Sequence, residues 1–195
     1  MKRVILIGPG ASGKDFLKHE LEKKGFKCSV SFTTRPPRPG EIEGVNYYYI
    51  SEEQFLGMIN NEEFREWNKF ADKWYYGTSK KHFDGANLFI MTPSGIKALT
   101  DKERSESLVI YIDAPEDVRR QRLSSRKDAD DPERRLATDR ADFSGFEDFD
   151  WHITDPEFST DEMYENIESH RRWSMLADKD PKIGSTVLTR PRKQS

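Results

Sequence analysis

Val4-Ile5-Leu6-Ile7-Gly8-Pro9-Gly10-Ala11-Ser12-Gly13-Lys14-Asp15 decides how this chain is read. The first four residues are all apolar and mostly β-branched, which predicts a short strand buried on both faces. The glycine-rich run follows at once, and after it Leu17 and Leu21 fall on one face of a predicted helix. Strand, glycine loop, lysine and helix form a P-loop, with Gly8, Gly13 and Lys14 at the required spacing. Glycines let successive backbone N–H groups turn inward around phosphate oxygens. The helix start adds partial positive charge and Lys14 a full one. The loop Gly8, Pro9, Gly10, Ala11, Ser12, Gly13, Lys14 and Asp15 is therefore the expected ATP site. The residue after the lysine is usually Ser or Thr, whose hydroxyl meets magnesium; here it is Asp15. Its carboxylate suits a hard cation, or it starts the helix, where negative charge is favoured.

Bulk composition bounds the rest. A chain of 195 residues is long enough for one sizeable core, or one core with inserted subdomains. Charged residues make up 34% with a formal net of −3, a near balance that argues against a dedicated nucleic-acid binder. The single cysteine, Cys28, permits no intrachain disulfide, so a reducing, cytoplasmic setting is expected; Cys28 reads as a small buried residue. No run predicts a membrane span, and the apolar run before Gly8 is too short for a signal peptide.

Downstream, Cys28–Phe32 predicts a second strand. Thr33-Thr34-Arg35-Pro36-Pro37-Arg38-Pro39-Gly40-Glu41 holds three prolines and a glycine in nine residues, which predicts an ordered surface loop. It either presents Arg35 and Arg38 to a phosphate or is a solvated turn. Val45–Ile50 predicts an aromatic strand, and Ser51-Glu52-Glu53-Gln54 a capping box before a helix with Phe55, Met58 and Ile59 inward. Glu63–Trp67 and Trp74–Thr78 predict paired strands. Leu88–Met91 and Leu108–Ile112 predict buried strands, with helix between Pro93 and Ser107. A helix from Pro115 puts Arg119, Arg122 and Arg126 on one face. Asp131-Pro132 opens another, carrying Arg134, Arg135 and Arg140. From composition alone this arginine-rich hairpin is as readily a solvated face laced with ion pairs as a functional cluster. Trp151–Thr154 predicts a last strand, and Ser159-Thr160-Asp161-Glu162 caps a helix on which His170 reads as structural. Strands alternating with helices behind a P-loop imply a parallel α/β sheet.

Together with the P-loop, Ser31–Glu41, Gly44-Val45-Asn46-Tyr47-Tyr48, Glu63-Phe64-Arg65-Glu66-Trp67 and Tyr75-Tyr76-Gly77-Thr78 resemble guanylate kinase. The resemblance is specific to about Thr78 and looser to about Asp155. It implies a P-loop kinase fold with a parallel core sheet flanked by helices, a β-rich NMP-binding insert and a helical lid. On that pattern residues 1–32, 80–118 and 144–178 form the core, 33–79 the insert, 119–143 the lid and 179–195 a flexible tail. Ser31, Arg35, Arg38, Tyr47 and Tyr76 would hold the acceptor phosphate. Glu66 would accept from guanine N1–H and the amino group, and Thr78 would donate to the carbonyl. A wrong base would leave the carboxylate unpaired. Arg126 and Arg135 match the lid arginines, catalytic with Lys14, and Ile153-Thr154-Asp155 lies near the adenine contact.

The third core strand departs from the family, whose two aspartates read here as Ile90 and Thr92. Thr92 stays an acceptor-site residue. Metal binding by that route is lost, and Asp15 is expected to hold Mg²⁺ with ATP instead, with Asp113 the rival carboxylate. The Lys-Asp ending also resembles phage-type deoxynucleoside monophosphate kinases, in which case the setting is a host cytoplasm. The expected reaction is in-line transfer from ATP to GMP or dGMP. The alternatives are a broader deoxynucleoside monophosphate kinase and a non-catalytic guanylate-kinase-like binding module. The expected partners are small nucleotides, with neither nucleic acid nor membrane.

Overall fold

The computed structural model of the chain describes residues 1–70, 72–125 and 131–179. Eight strands and eight helices alternate along them: β1 (Arg3–Ile7), α1 (Lys14–Lys23), β2 (Phe32–Thr33), β3 (Tyr48–Tyr49), α2 (Glu52–Asn60), β4 (Phe64–Phe70), β5 (Trp74–Ser79), α3 (Lys80–Asp84), β6 (Leu88–Met91), α4 (Pro93–Lys97), α5 (Asp101–Ser105), β7 (Ser107–Ile112), α6 (Glu116–Ser124), α7 (Pro132–Phe143), β8 (Trp151–Ile153) and α8 (Thr160–Lys179). The core sheet is wholly parallel in the order β6-β1-β7-β8. The apolar run at the amino end is thus an inner strand, as its lack of alternation requires. Val4 and Leu6 pack with Leu17, Leu21, Met163 and Ile167 on one face. Ile5 and Ile7 pack with Phe83, Phe89 and Ile96 on the other.

The second sheet, β3-β2-β5-β4, is the predicted insert. Its hairpin pairs Glu66 with Thr78, Asn68 with Tyr76 and Phe70 with Trp74. α2 begins at the predicted capping box, with Ser51 and Gln54 each bonding the other's backbone, and buries Phe55 against Phe64.

Five element expectations change. Cys28 makes only an isolated parallel bridge to Leu88, while Phe32 and Thr33 join the insert sheet. The Phe32 ring settles this by packing on Tyr48, Phe64 and His82. Of Val45–Ile50 only Tyr48 and Tyr49 pair as strand, because Ile42–Tyr47 is closed by local turn bonds. The helix between Pro93 and Ser107 is two short helices, since Thr92 and Thr100 each cap a new start. Pro115 caps α6 rather than opening it. α8 runs to Lys179, so the first residue of the expected tail is helical. His170 packs edge-on against Trp151, consistent with its structural reading. Burial pushes the Cys28 thiol up to about 12, leaving it neutral and inert. No described helix is long and apolar enough to cross a membrane.

Candidate active site

The P-loop leaves β1 at the carboxyl edge of the core sheet, where ligands of open α/β sheets bind. A side chain at Gly8 is impossible, because its Cβ would stand 2.1 Å from the Ile112 carbonyl oxygen. Gly13, with φ 114°, caps α1 in a conformation that suits glycine. Ala11 also has positive φ, at 62°. It is held there by Arg122, which donates to the Ala11 carbonyl at 3.1 Å and to the Pro156 carbonyl at 3.1 Å. Arg122 therefore clamps the loop to the segment after β8. Lys14 reaches back over the loop to the Pro9 carbonyl at 2.7 Å.

One cleft runs from this loop to the insert. Gly8, Gly10, Lys14 and Asp15 line the core side, and Arg135 lines it from α7. Ser31, Arg35, Arg38, Tyr47, Glu66 and Tyr76 line the insert side, and Thr92 lies at its floor. Thr78 sits behind this wall: it is buried, its hydroxyl 3.1 Å from that of Ser31, and it also bonds Glu66. The Thr92 hydroxyl caps α4 by accepting from the Gly95 amide at 3.2 Å. Asp113 stands apart from the cleft, its carboxylate 3.5 Å from His152. Arg126 lies outside the described residues.

The proline-rich loop is tied down by one carboxylate. Glu41 accepts from Arg35 at 2.8 and 2.9 Å, from the Arg38 amide at 2.7 Å and from the Tyr49 hydroxyl at 2.8 Å. Arg35 is only 3% exposed. Burial opposes its charge, but Glu41 outweighs that and holds the guanidinium firmly protonated. Arg35 thus faces inward to build the loop, whereas Arg38 is more open at its rim.

Glu66 has the opposite character. Burial raises its carboxyl above the usual carboxylate range, while the Thr78 hydroxyl and amide pull it part of the way back. A guanine placed against this carboxylate would favour the ionised form with its two adjacent donors, and acid would then compete with base recognition. Accordingly, kcat/KM for GMP is expected to fall as pH drops through this raised pKa. In Glu66→Gln the carboxyl's share of the acid limb is expected to vanish, leaving that of the substrate phosphate, and GMP use to fall about a hundredfold. The substrate phosphate titrates in both proteins, so pH–rate profiles of the pair isolate the carboxyl. An identical acid limb in Glu66→Gln would remove Glu66 from base recognition.

Sequence reasoning missed Asp139. This residue of α7 is 6% exposed, accepts from the Gly10 amide at 2.9 Å and pairs with buried Arg119 at 3.2 Å. A Cβ on Gly10 would come 3.1 Å from the Asp139 carboxylate and 3.5 Å from Arg135, so glycine there admits α7 to the loop. The available signal was the i, i+4 spacing of Arg135 and Asp139. The arginine hairpin carries the ion pairs expected of a solvated face, and two of its arginines turn inward. Arg120 makes exposed ion pairs with Glu116 and Glu133, while Arg119 turns in to the Ala114 carbonyl and Asp139, and Arg122 to the P-loop. Arg134 also stacks over Trp74 at 5.9 Å, joining α7 to the insert hairpin.

The cleft thus sets the glycine-rich loop and Lys14 on one side against Arg38 and the Glu66 carboxylate on the other. The sequence of residues 1–171 matches the guanylate kinase family model. The chain belongs to the guanylate kinase family. The guanylate kinase of Chlamydia muridarum is 32% identical, with 82% of each chain covered. That of a Synechococcus strain is 32% identical over 77% of this chain and 73% of its own. The crystal structure of guanylate kinase from Anaplasma phagocytophilum shares the fold, with a TM-score of 0.66 at 24% identity, covering 87% of this chain and 84% of that one. This member of the guanylate kinase family is a nucleoside monophosphate kinase that phosphorylates GMP with ATP.

Proposed function

We propose that the enzyme seats ATP on the P-loop and GMP or dGMP against the insert, and that the acceptor phosphate attacks the γ-phosphorus in line. The observation that carries this is a single cleft with Lys14 on one wall and Arg38 and Glu66 on the other. The nucleophile is already an anion, so no general base is needed; the work is positioning and charge neutralisation. Lys14 and the loop amides hold the donor, and Arg135 and Arg126 neutralise the transferring group. Arg38, Tyr47, Tyr76 and Ser31 hold the acceptor phosphate, and Arg35 sets the loop that presents Arg38 by its bonds to Glu41. Glu66 reads the base, with Thr78 fixing its carboxylate. Core, insert (33–79) and lid (119–143) then move toward each other to exclude water. The intact P-loop disfavours the binding-module alternative. The cytoplasm, where ATP is plentiful, is the proposed setting.

Asp15 fits Mg²⁺. Its exposed carboxylate lines the cleft next to Lys14, on the first turn of α1. No group of three or more His, Cys, Asp or Glu among the described residues could cage a metal. That suits an ion which takes most ligands from phosphates and water. Bound there with ATP, Mg²⁺ would supply charge neutralisation on the phosphates. Asp15→Asn is expected to raise the half-saturating Mg²⁺ concentration about tenfold, leaving nucleotide binding in a chelator unchanged. An unchanged metal titration would move the ion to another ligand.

The reaction is tested by ADP release from ATP with each ribo- and deoxyribonucleoside monophosphate. Turnover confined to guanine nucleotides supports the proposal. Equal turnover of adenine or pyrimidine nucleotides would make it a broad-specificity kinase, and none at all a binding module.

A further inference from the structure

We infer that Asn68 reads the sugar of the acceptor nucleotide, through a hydrogen bond between its side-chain amide and a ribose hydroxyl. This rests on the proposed placement of GMP in the insert. Glu66, Asn68 and Phe70 alternate along β4 and all line the cleft, so their side chains share the face that meets substrate. The two ends of that face have distinct chemistry. Glu66, opposite Thr78, supplies the carboxylate for the base. Asn68 lies opposite Tyr76, and Tyr76 packs on Tyr47 beside the arginine loop. That loop is anchored at the same level, since the Thr34 amide donates to the Tyr75 carbonyl at 3.1 Å.

Same-face neighbours on a strand stand roughly 7 Å apart. A 5′-mononucleotide spanning from the carboxylate to the arginines therefore carries its sugar past Asn68. The side-chain amide has no hydrogen-bond partner among the described residues. Asn46, on the same wall, differs in that its carbonyl already accepts from the Ile42 amide at 2.8 Å. An amide offers both a donor and an acceptor, which matches a hydroxyl in either direction. Thr92, across the floor, has its hydroxyl committed to capping α4 and to Ser94 at 2.8 Å. Asn68 is thus a polar group at sugar level with its bonding capacity open.

The test compares GMP, 2′-deoxy-GMP, 3′-deoxy-GMP and IMP as acceptors at saturating ATP, for the wild type, Asn68→Ala and the near-isosteric Asn68→Leu. Both variants are expected to lower kcat/KM for GMP and IMP about tenfold. At least one deoxy analogue should stay within about twofold of the wild type. KM for ATP reports that the fold is intact, and either variant alone suffices. An equal loss on all four acceptors, or no loss on any, would overturn the inference. A loss seen with GMP and spared with IMP would also overturn it, by making Asn68 a reader of the 2-amino group. Wild-type enzyme inert toward every guanine nucleotide would sink the underlying activity; GMP turnover with a flat response to Asn68→Ala would sink only the role of Asn68.

Discussion

Lys14→Met is expected to lower kcat roughly a thousandfold while leaving the thermal midpoint within a few degrees. The side chain is only partly buried, and two of its bonds in the folded protein are to its own loop: the Pro9 carbonyl at 2.7 Å and the Ser12 hydroxyl at 3.5 Å. Its loss therefore breaks no distant contact among these. Methionine keeps the length and apolar stem and removes only the charge. That charge counts most when negative charge shifts along the donor phosphates, inside a cleft that excludes water. Rapid-quench measurement of single turnover reads the chemical step directly. A kcat within tenfold of wild type would mean that the loop amides and arginines carry the neutralisation without it.

The second large effect separates two arginines that the sequence treats alike. Arg38→Ala is expected to raise KM for GMP about a hundredfold, with KM for ATP within twofold. Arg35→Ala is expected to act mainly on the fold. Arg35 is buried and its guanidinium meets both oxygens of Glu41, which also holds the Arg38 amide and Tyr49. Removing it strands a carboxylate at the centre of the loop, at a cost of about 3–5 kcal/mol. That corresponds to a fall in midpoint on the order of 10 °C for a chain of this size. The double variant Arg35→Ala/Glu41→Ala should recover part of that stability without recovering GMP binding. Calorimetry with steady-state kinetics checks both. Equal KM losses for GMP and ATP in Arg38→Ala would detach the loop from the acceptor.

What could be read early was local or periodic. The strand, the glycine loop and the helix that follows are contiguous, so Gly8, Gly13 and Lys14 announce a phosphate site from their spacing alone. The capping box at Ser51 likewise closes within four residues. Strand lengths were less legible: Phe32 looked like the end of a core strand, yet its ring is claimed by Tyr48, Phe64 and His82 of the insert. Side-chain contacts between distant segments, rather than propensity, assigned it to a sheet.

By itself, then, the chain's order of residues determined a P-loop, a proline-stiffened arginine loop and the strand that carries Glu66, because each of those devices is written within a dozen residues. Only the tertiary structure decided which charges face substrate and which build the site. Arg35 turns in to Glu41 and Arg119 to Asp139, 20 residues away. Asp139 reaches the Gly10 amide across 129 residues. The physical reason is desolvation. A charge leaves water only where a partner is waiting, and which partner waits depends on how segments far apart in sequence pack around the cleft.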